Sequence, residues 1–302
     1  MRILFALAML AMVIGCRSAS TTPPATASPA TAPAPSVDGS VASRDGVAIH
    51  YHVEGSGAPA IVFLHGWACD GSVWDGQVRE FAPHYTVVTI DLAGHGRSGR
   101  NRAAWTVPAF AWDARAVIEK LRLKRVVLVG HSMSGYVILE VARMIPDRIA
   151  ALVPVDTLQD AEWKPGANFN KWMQTMQKDF VPSTREFVKG MFPDNADPAL
   201  VEKMANQMSL MPPAIGMPVL RAIFSYDKTA ALSRVKRPIR AINSDAMPTR
   251  LEVNQKYAPQ FEVVYVRGTG HFPMLEKPAK FNRLLRQAIN ELAPPAPREA
   301  GA

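Results

Sequence analysis

The chain has 302 residues, 48% hydrophobic and 20% charged, with a formal net charge of +8. That balance is ordinary for a globular protein, excludes collagen-like and coiled-coil chains, and leaves ample length for one large core. The lysines and arginines are scattered rather than gathered into a patch or stripe, so no nucleic-acid partner is expected.

The first residues read as an address. Arg2 precedes an apolar run over residues 3–14, which suits a signal h-region and is shorter than the roughly 20 residues of a membrane-spanning helix. The run ends in Val13-Ile14-Gly15-Cys16, which resembles the bacterial lipobox, whose cysteine is lipidated and becomes the mature N-terminus. A plain secretory signal cleaved nearby is the alternative. Either way the expectation is export: a periplasmic protein held to the membrane only through a lipid on Cys16, or a secreted one. Arg17 rather than aspartate resembles the pattern that permits outer-membrane sorting. Residues 1–15 are thus expected to be signal and 16–40 the lipidation cysteine and a disordered Ala/Pro/Ser/Thr tether, with the domain starting near Val41. Cys69 is the only other cysteine, so a lipidated Cys16 leaves no intramolecular disulfide.

Further along, residues 47–53 alternate as a strand does, and a turn over 55–59 leads into the apolar strand 60–64. His50 and His52 share a strand face but lack a third ligand at a useful spacing, so a solvated face is expected and no metal site. His65-Gly66-Trp67 closes the strand. Residues 85–90 form the next, followed by Asp91-Leu92-Ala93-Gly94-His95-Gly96-Arg97-Ser98. Gly94, Gly96 and Gly99 spell a dinucleotide fingerprint, and Asp113 lies near the offset of a ribose ligand. The context fails, because 100–104 is loop-like and Asp113 falls inside the helical pattern of 107–121. No cofactor is expected.

The centre of the sequence is Arg125 to Gly135. Val126 to Val129 reads as a buried parallel strand, and Val137, Ile138, Val141, Ala142 and Ile145 recur at helical spacing until Pro146, so Ser132 sits on a tight strand-to-helix turn. Gly130-His131-Ser132-Met133-Ser134-Gly135 resembles the nucleophile elbow of the α/β-hydrolase family, with one departure: Ser134 stands where G-x-S-x-G has glycine. The resemblance extends over roughly residues 41–292, and it makes His65-Gly66-Trp67 similar to the family's oxyanion turn and Asp91 to Ser98 to its structural D-x-x-G-x-G-x-S turn. It implies an α/β fold with a mostly parallel sheet flanked by helices, core residues 41–157 and 227–293, and a helical lid at 158–226, where strand signals vanish and seven methionines, at 173, 176, 191, 204, 208, 211 and 217, accumulate. Such methionines suit core filling or an adaptable apolar pocket. A closing helix over 281–292 precedes a Pro/Ala-rich tail, 294–302.

A serine hydroxyl needs a base and a carboxylate to orient that base. Ser132, Asp245 and His271 occur in the family's order, each just past the end of an expected strand. Asp245 is the favoured acid; Asp156, at the end of the preceding strand, is the alternative. The resemblance assigns the oxyanion donors to the Trp67 and Met133 N–H groups, where one lost donor costs about 3 kcal/mol in a comparable site. The expectation is an exported serine hydrolase of the carboxylesterase type (EC 3.1.1), acting through an acyl-enzyme on a small ester or lactone without cofactor or metal. The fold also hosts lactonases, carbon–carbon hydrolases, aminopeptidases and cofactor-free haloperoxidases or perhydrolases. From another class, a lipid-anchored binding protein on an inactive hydrolase fold remains open.

Overall fold

The computed structural model describes residues 36–294. The signal, Cys16, most of the tether and the tail beyond 294 lie outside the described residues. Eight strands form one sheet: β1 (Ser36–Ala42), β2 (Ala48–Glu54), β3 (Ala60–Leu64), β4 (Thr86–Ile90), β5 (Val126–His131), β6 (Ile149–Val155), β7 (Ile239–Ser244) and β8 (Phe261–Val266). Their spatial order is β1-β2-β4-β3-β5-β6-β7-β8. Only the first two pairings, β1 with β2 and β2 with β4, are antiparallel. The rest are parallel. β3 and β5 are buried at every position, as expected of central parallel strands covered on both faces, which is why they read as unbroken apolar runs.

Eleven α-helices occur among the described residues: α1 (Asp75–Phe81), α2 (Val107–Lys120), α3 (Met133–Met144), α4 (Phe169–Lys178), α5 (Phe180–Lys189), α6 (Pro198–Ser209), α7 (Pro213–Phe224), α8 (Lys228–Arg234), α9 (Leu251–Tyr257), α10 (Pro273–Glu276) and α11 (Pro278–Leu292). Local chemistry starts several of them. Thr106 caps α2 by accepting from the Ala109 N–H, with Pro108 in the first turn; Asp197 does the same for α6 through the Ala199 N–H, with Pro198 first. Helices α4 to α7 make up an all-helical insertion between β6 and β7. Of its methionines, Met173, Met204 and Met217 are core, whereas Met176, Met191 and Met208 line a cavity, so both readings of that cluster hold at different positions.

The ordered domain begins earlier than Val41. Ser36 to Ser40, expected to end the tether, belong to β1, which pairs with β2 from Ser36 opposite Glu54 to Ala42 opposite Ala48. This edge strand is short, polar and largely exposed, so it carries none of the apolar alternation by which a strand is recognised. Gly39 is required there because a Cβ would fall 2.4 Å from the Tyr51 ring.

The Asp91 turn is structural. Its carboxylate accepts the Gly71 N–H at 2.7 Å and the Arg97 N–H at 2.9 Å. Asp113 lies in α2, fully buried, and accepts from Arg102, from the Ser43 hydroxyl and from the Ala93 N–H, so its bonds hold the N-terminal turns to the helix. His50 lies between Asp38 and Asp91 at 3.3 and 3.4 Å, and His52 is 3.2 Å from Asp38. No group of three or more His, Cys, Asp or Glu side chains among the described residues is placed to hold a metal ion.

His65 and His95 pack with ring centres 4.9 Å apart and planes tilted by 51° inside this region. The His65 Nε2 accepts the Leu92 N–H at 3.0 Å, tying two turns together. Burial pulls the pKa of His95 down to about 3. Because the unfolded imidazole titrates at about 6.5, the unfolded state binds a proton that the folded state refuses, so this contribution is intact above pH 6.5 and is lost as pH falls toward 3. At pH 5 the loss from His95 is about 2 kcal/mol. Urea unfolding at pH 7.5 and pH 5 should therefore show a smaller acid-induced drop, by about that amount, in His95→Gln than in the parent.

Candidate active site

Ser132 stands at the junction of β5 and α3 with φ 52° and ψ −116°. A non-glycine residue there is strained, at a cost on the order of 1–3 kcal/mol, and survives only where the surroundings hold it. Those surroundings leave no room for side chains. A Cβ at Gly130 would sit 2.3 Å from the Ser134 carbonyl oxygen, and one at Gly135 would sit 2.1 Å from Thr157 Cγ2. Ser132 occupies the N-cap position of α3, where serine ordinarily bonds a first-turn N–H, yet its side chain makes no capping bond. The strained turn leaves the hydroxyl uncommitted to the helix.

Two further strained residues border the same place. Asp156, following β6, has φ 45°, and Leu158, two residues on, has φ 57°. Positive φ at three non-glycine residues around one cavity is the pattern of a functional site. That cavity, about 1100 Å³, is lined by Gly66, Trp67, Ser132, Met133, Asp156 and His271 at the carboxyl ends of the parallel strands, the edge where open α/β sheets bind ligands.

The structure brings the alternative acid, Asp156, and not the favoured Asp245, to His271. His271 Nδ1 and Asp156 Oδ2 lie 2.6 Å apart. Asp245 does not reach His271; its carboxylate is exposed and accepts the Gly268 N–H at 2.6 Å, closing the turn after β8. The reason is the sheet order. β6 lies between β5 and β7, so the end of β6 falls between the Ser132 turn and β7, while the loop after β7 continues outward to Asp245. Burial works against the Asp156 carboxylate, but the His271 contact and the Ser244 N–H, 2.8 Å from Oδ1, outweigh it and hold its pKa below the ordinary value.

Two residues hold the histidine turn that sequence reasoning did not single out. Glu276, at the end of α10, accepts the Gly270 N–H through Oε2 at 2.8 Å and the Phe272 N–H through Oε1 at 3.0 Å, clamping both neighbours of His271. His131 Nε2 is 2.7 Å from the His271 carbonyl and donates to it, since a carbonyl oxygen can only accept, and burial keeps the His131 ring neutral with a pKa of about 3. Neither contact has a local signal, because the partners are remote or depend on how the turn folds.

The His65-Gly66-Trp67 turn sits beside Ser132. A Cβ at Gly66 would lie 3.2 Å from the Ser132 Cβ and 2.8 Å from His131 Nδ1. Among the described residues the Trp67 backbone N–H has no acceptor, and the Met133 N–H is in the first turn of α3, where intrahelical acceptors are lacking. Ser134 explains its own departure from glycine: its hydroxyl donates to the His65 carbonyl, joining α3 to the turn after β3. Cys69 is buried beside the cavity, and burial raises its thiol pKa far beyond the ordinary range.

The helical insertion roofs the cavity and is bonded to the turns beneath it. Trp67 Nε1 donates to the Gly216 carbonyl of α7 at 2.9 Å, and the His271 N–H donates to the Met191 carbonyl at 2.8 Å. Phe192 stacks on Phe272 at 5.1 Å.

The profile of the Alpha/beta hydrolase family matches residues 61–284. Among curated proteins, an uncharacterized protein of Mycobacterium tuberculosis is 36% identical over 105 residues, 35% of this chain and only 30% of the relative. A pimeloyl-[acyl-carrier protein] methyl ester esterase of Nitrosomonas europaea is 27% identical over 248 residues, covering 77% of this chain and 96% of the relative. Among solved structures, Est816, an N-acyl homoserine lactone degrading enzyme, superposes with a TM-score of 0.71 at 26% identity, covering 82% of this chain and 98% of the other.

If Asp156 orients the His271 imidazole, Asp156→Asn should lower hydrolytic kcat by about 10⁴-fold, as loss of the orienting acid does in serine hydrolases. Asp245→Asn, which keeps an acceptor for Gly268, should leave kcat near the parent value. The reverse ranking in steady-state kinetics would return the role to Asp245.

Proposed function

Because the chain belongs to the Alpha/beta hydrolase family, we propose that it is an exported serine hydrolase that cleaves carboxylic esters through an acyl-enzyme. The observation that carries the reading is the 2.6 Å pairing of His271 with Asp156 in the cavity that the uncapped Ser132 also lines.

In this mechanism His271 Nε2 takes the Ser132 proton as the Oγ attacks the ester carbonyl, and Asp156 holds the Nδ1–H tautomer and steadies the imidazolium. The negative charge on the carbonyl oxygen is received by the Trp67 and Met133 N–H groups, which stand ready before the reaction and need no reorganisation. His271 then gives its proton to the departing alcohol. Water, deprotonated by the same histidine, attacks the acyl-enzyme and frees the acid and Ser132. A lactone opens by the same steps, with the alcohol retained on the acyl chain. The esterase and lactone-degrading relatives support both substrate types.

Fluorophosphonate probes should label Ser132 in the parent and nothing in Ser132→Ala. Hydrolysis of 4-nitrophenyl butyrate by that variant should fall by about 10⁴-fold or more. Equal turnover by parent and variant would rule the mechanism out.

Export is supported by the apolar run before Cys16. Expressed with its own leader in a Gram-negative host, the parent should fractionate with membranes and incorporate labelled palmitate, while Cys16→Ala should do neither; unlabelled parent protein in the soluble cytosol would contradict it.

A further inference from the structure

Lys228, the first residue of α8, is only 9% exposed and lines the cavity. A buried lysine is normally paired, because an ammonium out of water is costly unless an anion or several acceptors replace its hydration. Its Nζ donates to the Trp163 carbonyl at 2.5 Å and lies 5.1 Å from the centre of the Trp163 ring. No carboxylate among the described residues forms an ion pair with it. The nearest acid to act on it, Asp160, is bonded by Arg250 at 3.1 Å and accepts the Glu162 N–H at 2.8 Å. Burial accordingly pulls the Lys228 pKa down, with Asp160 only partly opposing. An ammonium has three donors, and one protein carbonyl answers one of them.

The cavity wall connects this cation to the reaction centre. From Trp67, whose N–H faces the proposed oxyanion, aromatic rings follow in contact: Phe187 at 6.3 Å, then Trp172 at 5.3 Å, Phe224 at 5.8 Å and Trp163 at 6.1 Å. All five line the cavity. Such a surface holds the apolar body of a ligand, and charged groups among the apolar ones fix direction and select among ligands. Glu186, Asp160 and Arg250 also line the cavity, and the last two pair with each other at 3.1 Å, whereas Lys228 has no carboxylate partner among the described residues.

We infer that Lys228 receives a carboxylate at the far end of the substrate, so that the preferred esters are half-esters of long dicarboxylic acids or other acyl chains ending in an acid. The inference deepens the hydrolase reading and rests on it for the reaction, but not for binding. A substrate of this kind would lay its apolar segment along the aromatic wall and exchange carboxylate hydration for the Lys228 ammonium, whose own hydration the fold has already reduced.

The test compares the mono-4-nitrophenyl ester of octanedioic acid with 4-nitrophenyl octanoate. The parent should favour the acid half-ester in kcat/KM, and Lys228→Gln, which keeps a donor for the Trp163 carbonyl, should lower that ratio about 10- to 100-fold, the range of a charge-assisted hydrogen bond in a buried site. Lys228→Arg should retain most of it. In the parent, added sodium chloride should reduce the ratio, a measurement that needs no variant. A ratio unchanged by both Lys228→Gln and salt overturns the inference. Calorimetric titration of octanedioate into Ser132→Ala, with and without Lys228→Gln, separates the two readings. Binding that depends on Lys228 without hydrolysis by the parent sinks the hydrolase reading alone, whereas hydrolysis with binding indifferent to Lys228 sinks the carboxylate site alone.

Discussion

The strained joint between β5 and α3 is the constraint on which the rest of the site depends. Ser132 is held at positive φ in a turn packed too tightly for side chains: a Cβ at Gly66 would press on Ser132 itself, one at Gly130 on the Ser134 carbonyl and one at Gly135 on Thr157. An N-cap serine normally spends its hydroxyl on the helix; the twist at this joint withholds it. The strain, on the order of 1–3 kcal/mol, is borne by the buried central strands on either side.

Around that joint, the turns are bonded to one another rather than left as independent loops. Ser134 ties the elbow helix to the His65 carbonyl, His65 in turn receives the Leu92 N–H, and His131 joins the elbow to the His271 carbonyl. Glu276 then fixes both neighbours of His271. Catalytic groups must be held to within a fraction of an ångström, and side chains supported by such surrounding bonds lose little of that precision to thermal motion. The helical insertion contributes to the same end. Its bonds to Trp67 and to His271 make it part of the frame, so the cavity wall and the turns that carry Ser132 and His271 are mechanically one piece.

The charge distribution within the cavity is uneven in a way that separates the two tasks. Near Ser132, Asp156 and the neutral His131 flank the His271 imidazole. At the other end stands a lysine without a carboxylate partner, past a run of aromatic rings. Under the proposed function, chemistry and recognition would thereby be kept apart, with one reaction centre serving different acyl chains and the Lys228 end deciding among them.

By itself, the sequence determined the α/β architecture, the strand ends that carry Ser132 and His271, and the structural character of the Asp91 turn, because buried parallel strands read as apolar runs and tight turns demand particular small residues. It also located the helical insertion, though not which methionines face the cavity. Strand β1 escaped notice because an exposed edge strand has no apolar face to betray it. Only the tertiary structure decided between Asp245 and Asp156. Both acids follow a strand by a residue or two, and linear spacing cannot tell which strand lies next to the elbow; the order β5-β6-β7 does, by placing the end of β6 within 2.6 Å of the imidazole and leaving Asp245 to close a turn at the surface. The same holds for Ser134, whose hydroxyl answers a carbonyl 69 positions away, a distance no local pattern can span.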